Sequence, residues 1–438
     1  MILGVPTTTI AHRRVPMSGR DPHELHRPAT PLELLYDLTF VVAFGAAGNE
    51  AAHYVAAGHW ATGLIGFGFA MFAVIWAWIQ NTWFASAYDT DDWIYRLLTM
   101  VQMVGVLVLA LGLPPMFESL EHGEHVDNGV MVLGYVIMRV GLVALWLRVA
   151  RHDVVRRRCA VTYATTLLIA QIGWIGLLVA HTSIGVMFGV AAVLVVIELA
   201  GPVIAERRYG VTTPWHPHHI AERYGLLTIV TLGEVILGTV AALDAVVRAD
   251  GWTFETALVG LAGVGLAFGM WWMYFVIPSG ELLERYRNRS FGWGYGHLPL
   301  FAALVATGAG LHVAALYLEH EAHLSQLVVV ITTAVPLAVY VISLYVIYSV
   351  ITREIDAFHV WLVAGTAVVI VAAIAMAGAG APIGACLLTL TLAPAVTVVG
   401  YEFVGHRHRA EMLARSGVEP TPDPAADGPS WPRTTRRT

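Results

Sequence analysis

The sequence predicts an all-α fold, a polytopic transmembrane bundle of about 12 spanning helices, and three observations lead to this prediction. First, 57% of the 438 residues are hydrophobic and 13% are charged, about half the charge that a soluble domain carries. Second, apolar stretches of bilayer-crossing length recur along the chain. Third, the arginines collect on one side of the membrane when these stretches are taken as spans.

The apolar stretches have the length of membrane-crossing helices. A hydrocarbon core of roughly 30 Å requires about 20 helical residues, whereas barrel strands are much shorter. Helices and closed barrels are the structures that satisfy every backbone polar group in lipid, so stretches of this length predict helices. The predicted spans are 33–56, 60–83, 94–115, 128–150, 158–180, 183–206, 222–243, 255–277, 296–318, 325–350, 357–378 and 382–404.

The basic residues test this number of spans, because cytoplasmic connections carry an excess of Arg and Lys. All 25 of them are arginines. With both termini in the cytoplasm, every arginine except Arg139 and Arg248 falls on the cytoplasmic side, and Arg223 is counted there. Arg139 lies within a span and Arg248 outside the cell. The sequence therefore predicts a multi-pass protein of the cell membrane with cytoplasmic termini.

The membrane region divides into two halves of about six helices. The ten residues from Tyr36 match the ten from Tyr224 at four positions. Two six-helix repeats would be related by an axis along the membrane normal, and chance similarity between apolar segments is the alternative. The predicted regions are a cytoplasmic segment (1–30), a first half (31–210), a second half (211–405) and a disordered cytoplasmic tail (406–438).

Composition also excludes several kinds of chemistry. The chain has no lysine, so a retinal or pyridoxal phosphate Schiff base is ruled out. The net charge of −6 argues against nucleic acid as a partner. Cys159 and Cys386 lie far apart in apolar segments, which predicts buried thiols and no disulfide. No signal peptide is predicted within residues 1–30, and no cofactor is predicted.

Two motifs carry a resemblance to a known family. The first runs from Pro31 to Val42 (PLELLYDLTFVV) and the second from Glu222 to Glu234 (ERYGLLTIVTLGE). This ordered pair resembles the bacterial low-temperature-requirement A (LtrA) family over about residues 30–405. The resemblance implies a multi-helix inner-membrane protein whose family name records growth in the cold, and it implies no activity. The family-motif residues are Glu33, Tyr36, Asp37, His53, Glu222, Arg223, Gly233 and Glu234.

Charged residues within the spans are the first candidates for a functional site. An ionised group near the middle of a bilayer is normally paired, protonated or in contact with water. Arg139 and Glu234 lie about halfway along the fourth and seventh spans, so we predict an ion pair between them. That pair would be either a static clamp between helices or part of a substrate or ion site.

Two further carboxyl groups lie inside the predicted spans. Glu198 precedes Gly201 and Pro202, so it lies one turn from a break in backbone hydrogen bonding, which would serve either packing or ligand binding. Asp37 lies about one turn inside the cytoplasmic end of the first span. It would either anchor that helix at the interface or take part in transport.

Polar residues also collect near the outer end of the bundle. Asn49, Glu50 and His53 share one helix face because their spacing is three or four residues, and His312 should reach a similar depth. A proton relay or metal site is one interpretation, and interfacial hydrogen bonding is the other. One Glu-x-x-His pair lacks a full ligand set, so no metal site is predicted.

A histidine-rich connection precedes the seventh span. Residues 215–219 have the sequence Trp-His-Pro-His-His, and adjacent imidazoles could bind a transition metal. The proline and tryptophan favour a rigid turn at the interface instead.

Three functions remain open from the sequence. The first is a proton-linked secondary transporter or exchanger of a small molecule or ion, with Arg139, Glu234, Glu198 and Asp37 around a central cavity. The second is a non-catalytic membrane component that supports growth at low temperature. The third is a membrane-embedded enzyme acting on lipid, with acid–base groups in the outer polar cluster. The lipid bilayer is the expected partner in each case, and no oligomeric state is predicted.

Overall fold

The computed structural model describes residues 14–25, 27–123, 125–354 and 357–405, and every regular element among these residues is helical. The predicted disordered tail lies outside the described residues. The first half contains α1 (Pro31–Ala56), α2 (Trp60–Tyr88), α3 (Trp93–Leu111), α4 (Leu113–His122), α5 (Gly129–His152), α6 (Arg157–Val179) and α7 (Ile184–Arg207). The second half contains α8 (Pro217–Asp250), α9 (Phe254–Phe275), α10 (Ser279–Arg285), α11 (Ser290–Leu318), α12 (Gln326–Thr352), α13 (Ala357–Gly378), α14 (Ile383–Leu390) and α15 (Leu392–Gly400).

Twelve helical units in the described ranges are long and apolar enough to cross a membrane, which confirms the predicted number. Three of these units contain a break, between α3 and α4, α9 and α10, and α14 and α15. A proline lies at or near each of these breaks, namely Pro114, Pro278 and Pro394. Proline has no backbone N–H to donate, so it interrupts the hydrogen bonding of the helix. The ninth unit begins at Arg287, nine residues earlier than predicted, since the glycine-rich start of α11 packs inside the bundle.

Side chains at the helix starts fix where the first and seventh spans begin. Thr30 caps α1: its hydroxyl accepts from the backbone N–H of Glu33 at 3.3 Å, and the Glu33 carboxylate accepts from that of Thr30 at 2.8 Å. Pro31 follows at the first helical position, where its missing N–H costs nothing. His216 caps α8 with a single bond, accepting from the N–H of His219 at 3.2 Å.

The connections on the side of the N-terminal segment contact one another, and we call this side the N-terminal face. The backbone N–H of Val15 donates to Asp92 at 3.1 Å. His216 lies 2.8 Å from the carbonyl oxygen of Glu24, and Arg287 donates to the carbonyl oxygen of Trp215 at 2.7 Å. The connections between spans 2 and 3, 6 and 7, and 8 and 9 therefore share this face.

The opposite side, the distal face, is held together by a separate set of contacts. The N–H of His323 donates to the carbonyl oxygen of Ala56 at 2.9 Å, and the N–H of Gly384 donates to Glu255 at 2.7 Å. Arg248 pairs here with Asp244 at 2.5 Å. The structure therefore separates Arg248 from the arginines of the N-terminal face.

The order of neighbouring helices in the first half recurs in the second. Helix α1 packs on α2 and α3, and the chain continues through contacts of α3 with α5, α5 with α6 and α6 with α7. In the second half, α8 packs on α9 and α11, α11 on α12, α12 on α13, and α13 on α14 and α15. The two halves meet where α1 contacts α8 and α11. The division into two halves and the repeat both stay predictions.

Glycines allow two pairs of helices to approach closely. A Cβ atom added at Gly134 of α5 would overlap the backbone of Leu109 in α3. A Cβ atom at Gly238 of α8 would overlap the carbonyl oxygen of Gly308 in α11, and one at Gly308 would overlap the backbone of Glu234. Small residues of this kind are a common means of helix packing in membranes. Cys159 and Cys386 are buried free thiols, as predicted.

Asp89, in the connection between α2 and α3, gives the fold a pH dependence. Burial and the nearby Glu33 carboxylate raise the pKa of Asp89 from 3.8 to about 6. The unfolded chain therefore loses this proton at lower pH, and stability falls as pH rises from about 4 to about 6. We expect Asp89→Asn to raise the thermal midpoint by several degrees at pH 7.5 and to leave it unchanged near pH 4, measured by light-scattering melts in detergent.

Asp91→Asn is the matched control for this prediction. Asp91 is exposed and pairs with exposed Arg96, so its replacement should change the midpoint little at either pH. Equal midpoints for Asp89→Asn and wild type at pH 7.5 would contradict the argument.

Candidate functional site

A buried ion cluster joins the first helices of the two halves. Arg223 on α8 places Nη2 2.5 Å from Oδ1 of Asp37 and Nη1 2.7 Å from Oε1 of Glu33, both on α1. His219 lies one turn before Arg223, and its Nε2 is 3.2 Å from the second Glu33 oxygen. Trp78 of α2 donates its indole N–H to Asp37 at 2.7 Å. We call these five residues the α1–α8 cluster.

Helical spacing brings the four titratable members of the cluster together. Glu33 and Asp37 are four residues apart on α1, and His219 and Arg223 are four apart on α8, so each pair lies on one helix face. All four are at most 2% exposed. Two carboxyl groups surround one guanidinium group, so one acidic group lacks a cation unless it or His219 carries a proton.

The remaining family-motif residues near this cluster have other environments. Tyr36 is buried, and its hydroxyl has no hydrogen-bond partner among the residues that the structure describes. Glu222 is exposed, and Gly233 is half-buried with open space at its Cα. The two family motifs therefore supply Glu33, Asp37 and Arg223 to the cluster, and their other residues lie outside it.

The cluster corrects two expectations. Arg223 was counted among the cytoplasmic arginines, but it is fully buried between two carboxylates. Asp37 does not anchor α1 at the interface, because Thr30 caps that helix and Asp37 pairs with Arg223.

A second buried ion pair connects α5 with α7. Arg139 places Nη2 3.2 Å from Oε2 of Glu198. Trp76 donates to the same oxygen at 2.8 Å, and Gln80 of α2 donates to it at 3.4 Å while accepting from Arg139 at 3.3 Å. Gln171 of α6 donates to the other Glu198 oxygen at 3.3 Å. We call these residues the α5–α7 cluster.

The predicted ion pair between Arg139 and Glu234 is wrong. Arg139 faces Glu198, donates to the hydroxyl of Tyr135 and lies 4.4 Å from the centre of its ring. Sequence position indicates how far along its helix a residue lies. It does not give the direction in which the side chain points, and that direction determines the partner.

Glu234 is instead a buried carboxyl group that pairs with no cation among the described residues. It is 8% exposed, and its Oε1 has no hydrogen-bond partner within the described part of the chain. Gly45 of α1 makes room for it, since a Cβ atom there would lie 3.3 Å from Oε1. Glu234 therefore lies where α1, α8 and α11 meet, beside the contact between Gly238 and Gly308.

Three of the four predicted outer polar residues come together, one helical turn nearer to the distal face than Glu234. His312 of α11 lies with Nδ1 3.0 Å from Oδ1 of Asn49 on α1, and its ring is 5.4 Å from that of His53. Glu50 lies on the same helix and is half-buried. No group of three or more His, Cys, Asp or Glu side chains in the described ranges is placed to hold a metal ion.

The histidines of the connection before α8 separate from one another. His216 lies 2.8 Å from the Glu24 carbonyl oxygen, His218 lies 3.2 Å from Glu284, and His219 belongs to the α1–α8 cluster. The rigid-turn interpretation describes this geometry better than a shared metal, because each imidazole has its own partner.

A cavity of about 380 Å³ opens in the half of the bundle next to the N-terminal face. It lies between α2, α5, α6, α7, the connection before α8 and the start of α11. Its walls contain seven aromatic side chains, namely Trp76, Trp83, Trp146, Tyr163, Trp215, Phe291 and Tyr295. Pro202 also lines it, within an α7 that continues through the proline.

Helix α2 connects the cavity with both clusters. Trp76 and Gln80, one turn apart, line the cavity and donate to Glu198. Trp78 lies about 200° around the helix from Trp76 and donates to Asp37. Two members of the α5–α7 cluster thus form part of the cavity wall.

Several polar residues of this region were not predicted from the sequence. Gln80 and Gln171 hold Glu198, and each is a polar residue within an apolar run, a signal that could have identified them. His297 of α11 is buried, with Nδ1 donating to the Trp293 carbonyl oxygen at 2.8 Å and Nε2 3.1 Å from the Tyr274 hydroxyl. No local signal distinguishes His297 from a histidine at a helix surface.

Comparison with known proteins extends the family resemblance. The model of the family described as "Bacterial low temperature requirement A protein (LtrA)" matches residues 28–394. "Uncharacterized protein RA0937" from Rhizobium meliloti (strain 1021) is 26% identical over 296 residues, which cover 64% of this chain and 67% of that relative. No solved structure matches the chain. The chain is therefore a member of the LtrA family, a multi-pass membrane protein with twelve candidate spans.

Proposed function

We propose that this protein is a proton-linked secondary transporter or exchanger. The substrate occupies the cavity next to the N-terminal face, and Glu234 takes up and releases the coupled proton. The observation that carries the proposal is the contact between cavity and charge: Trp76 and Gln80 form the cavity wall and also hold the buried pair of Glu198 with Arg139.

The contact matters because it couples binding to a buried charge. A ligand that moves Trp76 or Gln80 removes donors from Glu198 in a region where an unsatisfied carboxylate is costly. Ligand binding and the state of the α5–α7 cluster are therefore linked in free energy. Such linkage between sites is what a coupled transporter requires.

Glu234 is suited to carry the proton because it has no permanent partner. Glu33, Asp37 and Glu198 each lie beside an arginine, whereas Glu234 has no ion pair in the described residues. Burial without a counter-charge favours the neutral acid, and opening toward water would release the proton. Asn49 and His312, which contact each other, lie one turn away toward the distal face.

We place the N-terminal face in the cytoplasm and the protein in the cell membrane. The support is the arginine excess on that face, which the positive-inside rule assigns to the cytoplasm.

The experiment is proton flux in liposomes reconstituted with the purified protein and loaded with the pH-sensitive dye pyranine. An inward proton gradient is imposed, and four probes are added in turn: sodium chloride, potassium chloride, naphthalene-2-carboxylate and 2-naphthylmethylamine. We expect at least one probe to change the internal pH through wild-type protein, and Glu234→Gln to reduce that rate to the level of empty liposomes. The amide keeps the size of the side chain and cannot carry the proton.

Glu222→Gln is the matched control, because it makes the same chemical change at an exposed position of the same helix. It should retain the wild-type rate. Equal rates for wild type and empty liposomes with every probe would reject the proposal and favour a static membrane component. A probe-dependent rate that Glu234→Gln leaves unchanged would reject the role of Glu234.

A further inference from the structure

The cavity next to the N-terminal face has walls that leave few polar groups for a ligand. Trp76 donates its indole N–H to Glu198 at 2.8 Å, and Trp83 donates to the Tyr224 hydroxyl at 2.9 Å. The hydroxyl of Tyr295 donates to a backbone carbonyl oxygen at 2.9 Å. These aromatic side chains therefore use their donors within the protein and present ring surfaces to the cavity.

The acidic group of the cavity is also satisfied by the protein. Glu206 accepts from the Tyr163 hydroxyl at 2.9 Å, from the Thr213 hydroxyl at 2.7 Å and from the Thr213 backbone N–H at 2.9 Å. A carboxylate with three donors has little capacity left for a cationic ligand. Most of the hydrogen-bonding capacity of Glu206 is therefore used within the protein.

Two arginines of the cavity retain donors that the protein does not use, although Nη2 of Arg287 donates to the Trp215 carbonyl oxygen at 2.7 Å. Arg287 lies 4.1 Å from the centre of the Trp215 ring, and Arg207 lies 5.9 Å from that of Phe291. Neither has a carboxylate within ion-pair distance among the described residues. Arg207 is exposed and Arg287 half-buried, so both guanidinium groups retain donors for a bound anion.

We infer that the cavity binds an amphipathic organic anion, with an aromatic or similarly flat apolar body between the rings and its acidic group at Arg207 and Arg287. Guanidinium groups bind carboxylates and phosphates through paired donors, and aromatic walls bury a flat apolar body. The volume is at the lower end for small-molecule sites. The inference names the substrate class of the proposed transporter and rests on that proposal for its transport role.

The test is calorimetric titration of the full-length protein in a neutral detergent with three probes of one shape. Naphthalene-2-carboxylate is anionic, 2-naphthylmethylamine cationic and naphthalene-2-methanol neutral. We expect the carboxylate to bind at least about tenfold more tightly than the other two, as an added charge-assisted contact implies. Equal affinities, or tighter binding of the amine, would overturn the inference.

Variants locate the binding site. Arg207→Gln should weaken carboxylate binding by about tenfold and leave binding of the neutral probe unchanged. Arg208→Gln is the matched control, because it removes the same charge from the adjacent exposed residue, which does not line the cavity. Both arginines are exposed, so the fold should tolerate either change. Equal losses in the two variants would mean a general charge effect and would overturn the assignment.

A second arm identifies the source of the anion, since an anionic phospholipid carries the same chemistry. The titration is repeated in nanodiscs of phosphatidylcholine and of phosphatidylglycerol. Weaker binding of both the carboxylate and the neutral probe in phosphatidylglycerol would support the anion site and identify lipid as its occupant, because repulsion by the lipid surface acts on the carboxylate alone. Equal binding in the two lipids would support a soluble anion. Carboxylate binding without proton flux would leave this inference intact and reject transport, whereas flux with another probe and no carboxylate binding would do the reverse.

Discussion

Arg223→Met is expected to destabilise the protein by about 3–5 kcal/mol, the usual effect of removing one partner from a buried ion pair. The replacement leaves Glu33 and Asp37 facing each other in a region that is at most 2% exposed, without the cation that holds both. Methionine fills most of the volume, so the effect reports lost charge compensation and not a cavity. The measurement is the thermal midpoint of detergent-purified protein by size-exclusion chromatography with fluorescence detection.

Arg248→Met is the control, because it makes the same replacement on the same helix in an exposed pair with Asp244. It should change the midpoint little. A triple variant that adds Glu33→Gln and Asp37→Asn to Arg223→Met should recover part of the loss, since it removes the uncompensated carboxylates. The interpretation fails when Arg223→Met and Arg248→Met shift the midpoint equally.

Gly308→Ala is expected to cost about 3 kcal/mol, at the upper end for overpacking. The added methyl group would overlap the backbone of Glu234, and backbone cannot move aside as a flexible side chain can. Helices α8 and α11 must then separate beside Glu234. The same thermal assay should show a large fall in midpoint, with reduced proton flux at temperatures where the variant stays folded.

Gly233→Ala is the matched control on α8. A Cβ atom at Gly233 meets nothing within 4 Å, and alanine favours helix by up to about 1 kcal/mol over glycine. We therefore expect an unchanged or slightly raised midpoint. Two glycine variants that behave alike would show that the close contact between α8 and α11 does not limit stability.

The sequence predicts the helices of this fold well because each one must satisfy the same physical requirement. A span of about 20 apolar residues is visible in the chain itself, and so is the preference of arginine for one side. The start of α11 was predicted too late because Ser290, Trp293 and Gly294 are buried by neighbouring helices. Tertiary packing, which the local composition does not show, extends that helix.

The site was predicted in part, for a related reason. Asp37, Glu198 and Arg139 were correctly identified as buried charges, because ionised groups in apolar runs are conspicuous. Their partners could not be derived, since rotation of each helix about its axis depends on all of its neighbours. That is why the predicted pairing of Arg139 with Glu234 is wrong and why Arg223 is counted from the sequence among the cytoplasmic arginines.

The placement of hydrogen-bond donors on α2 limits how this protein can change shape. Trp76 and Gln80 hold the Glu198 carboxylate, and Trp78 holds the Asp37 carboxylate from the other side of the same helix. A rigid turn of α2 that releases one carboxylate also withdraws the donor from the other. A rotation of α2 therefore affects the Arg139–Glu198 pair and the Arg223–Asp37 pair together.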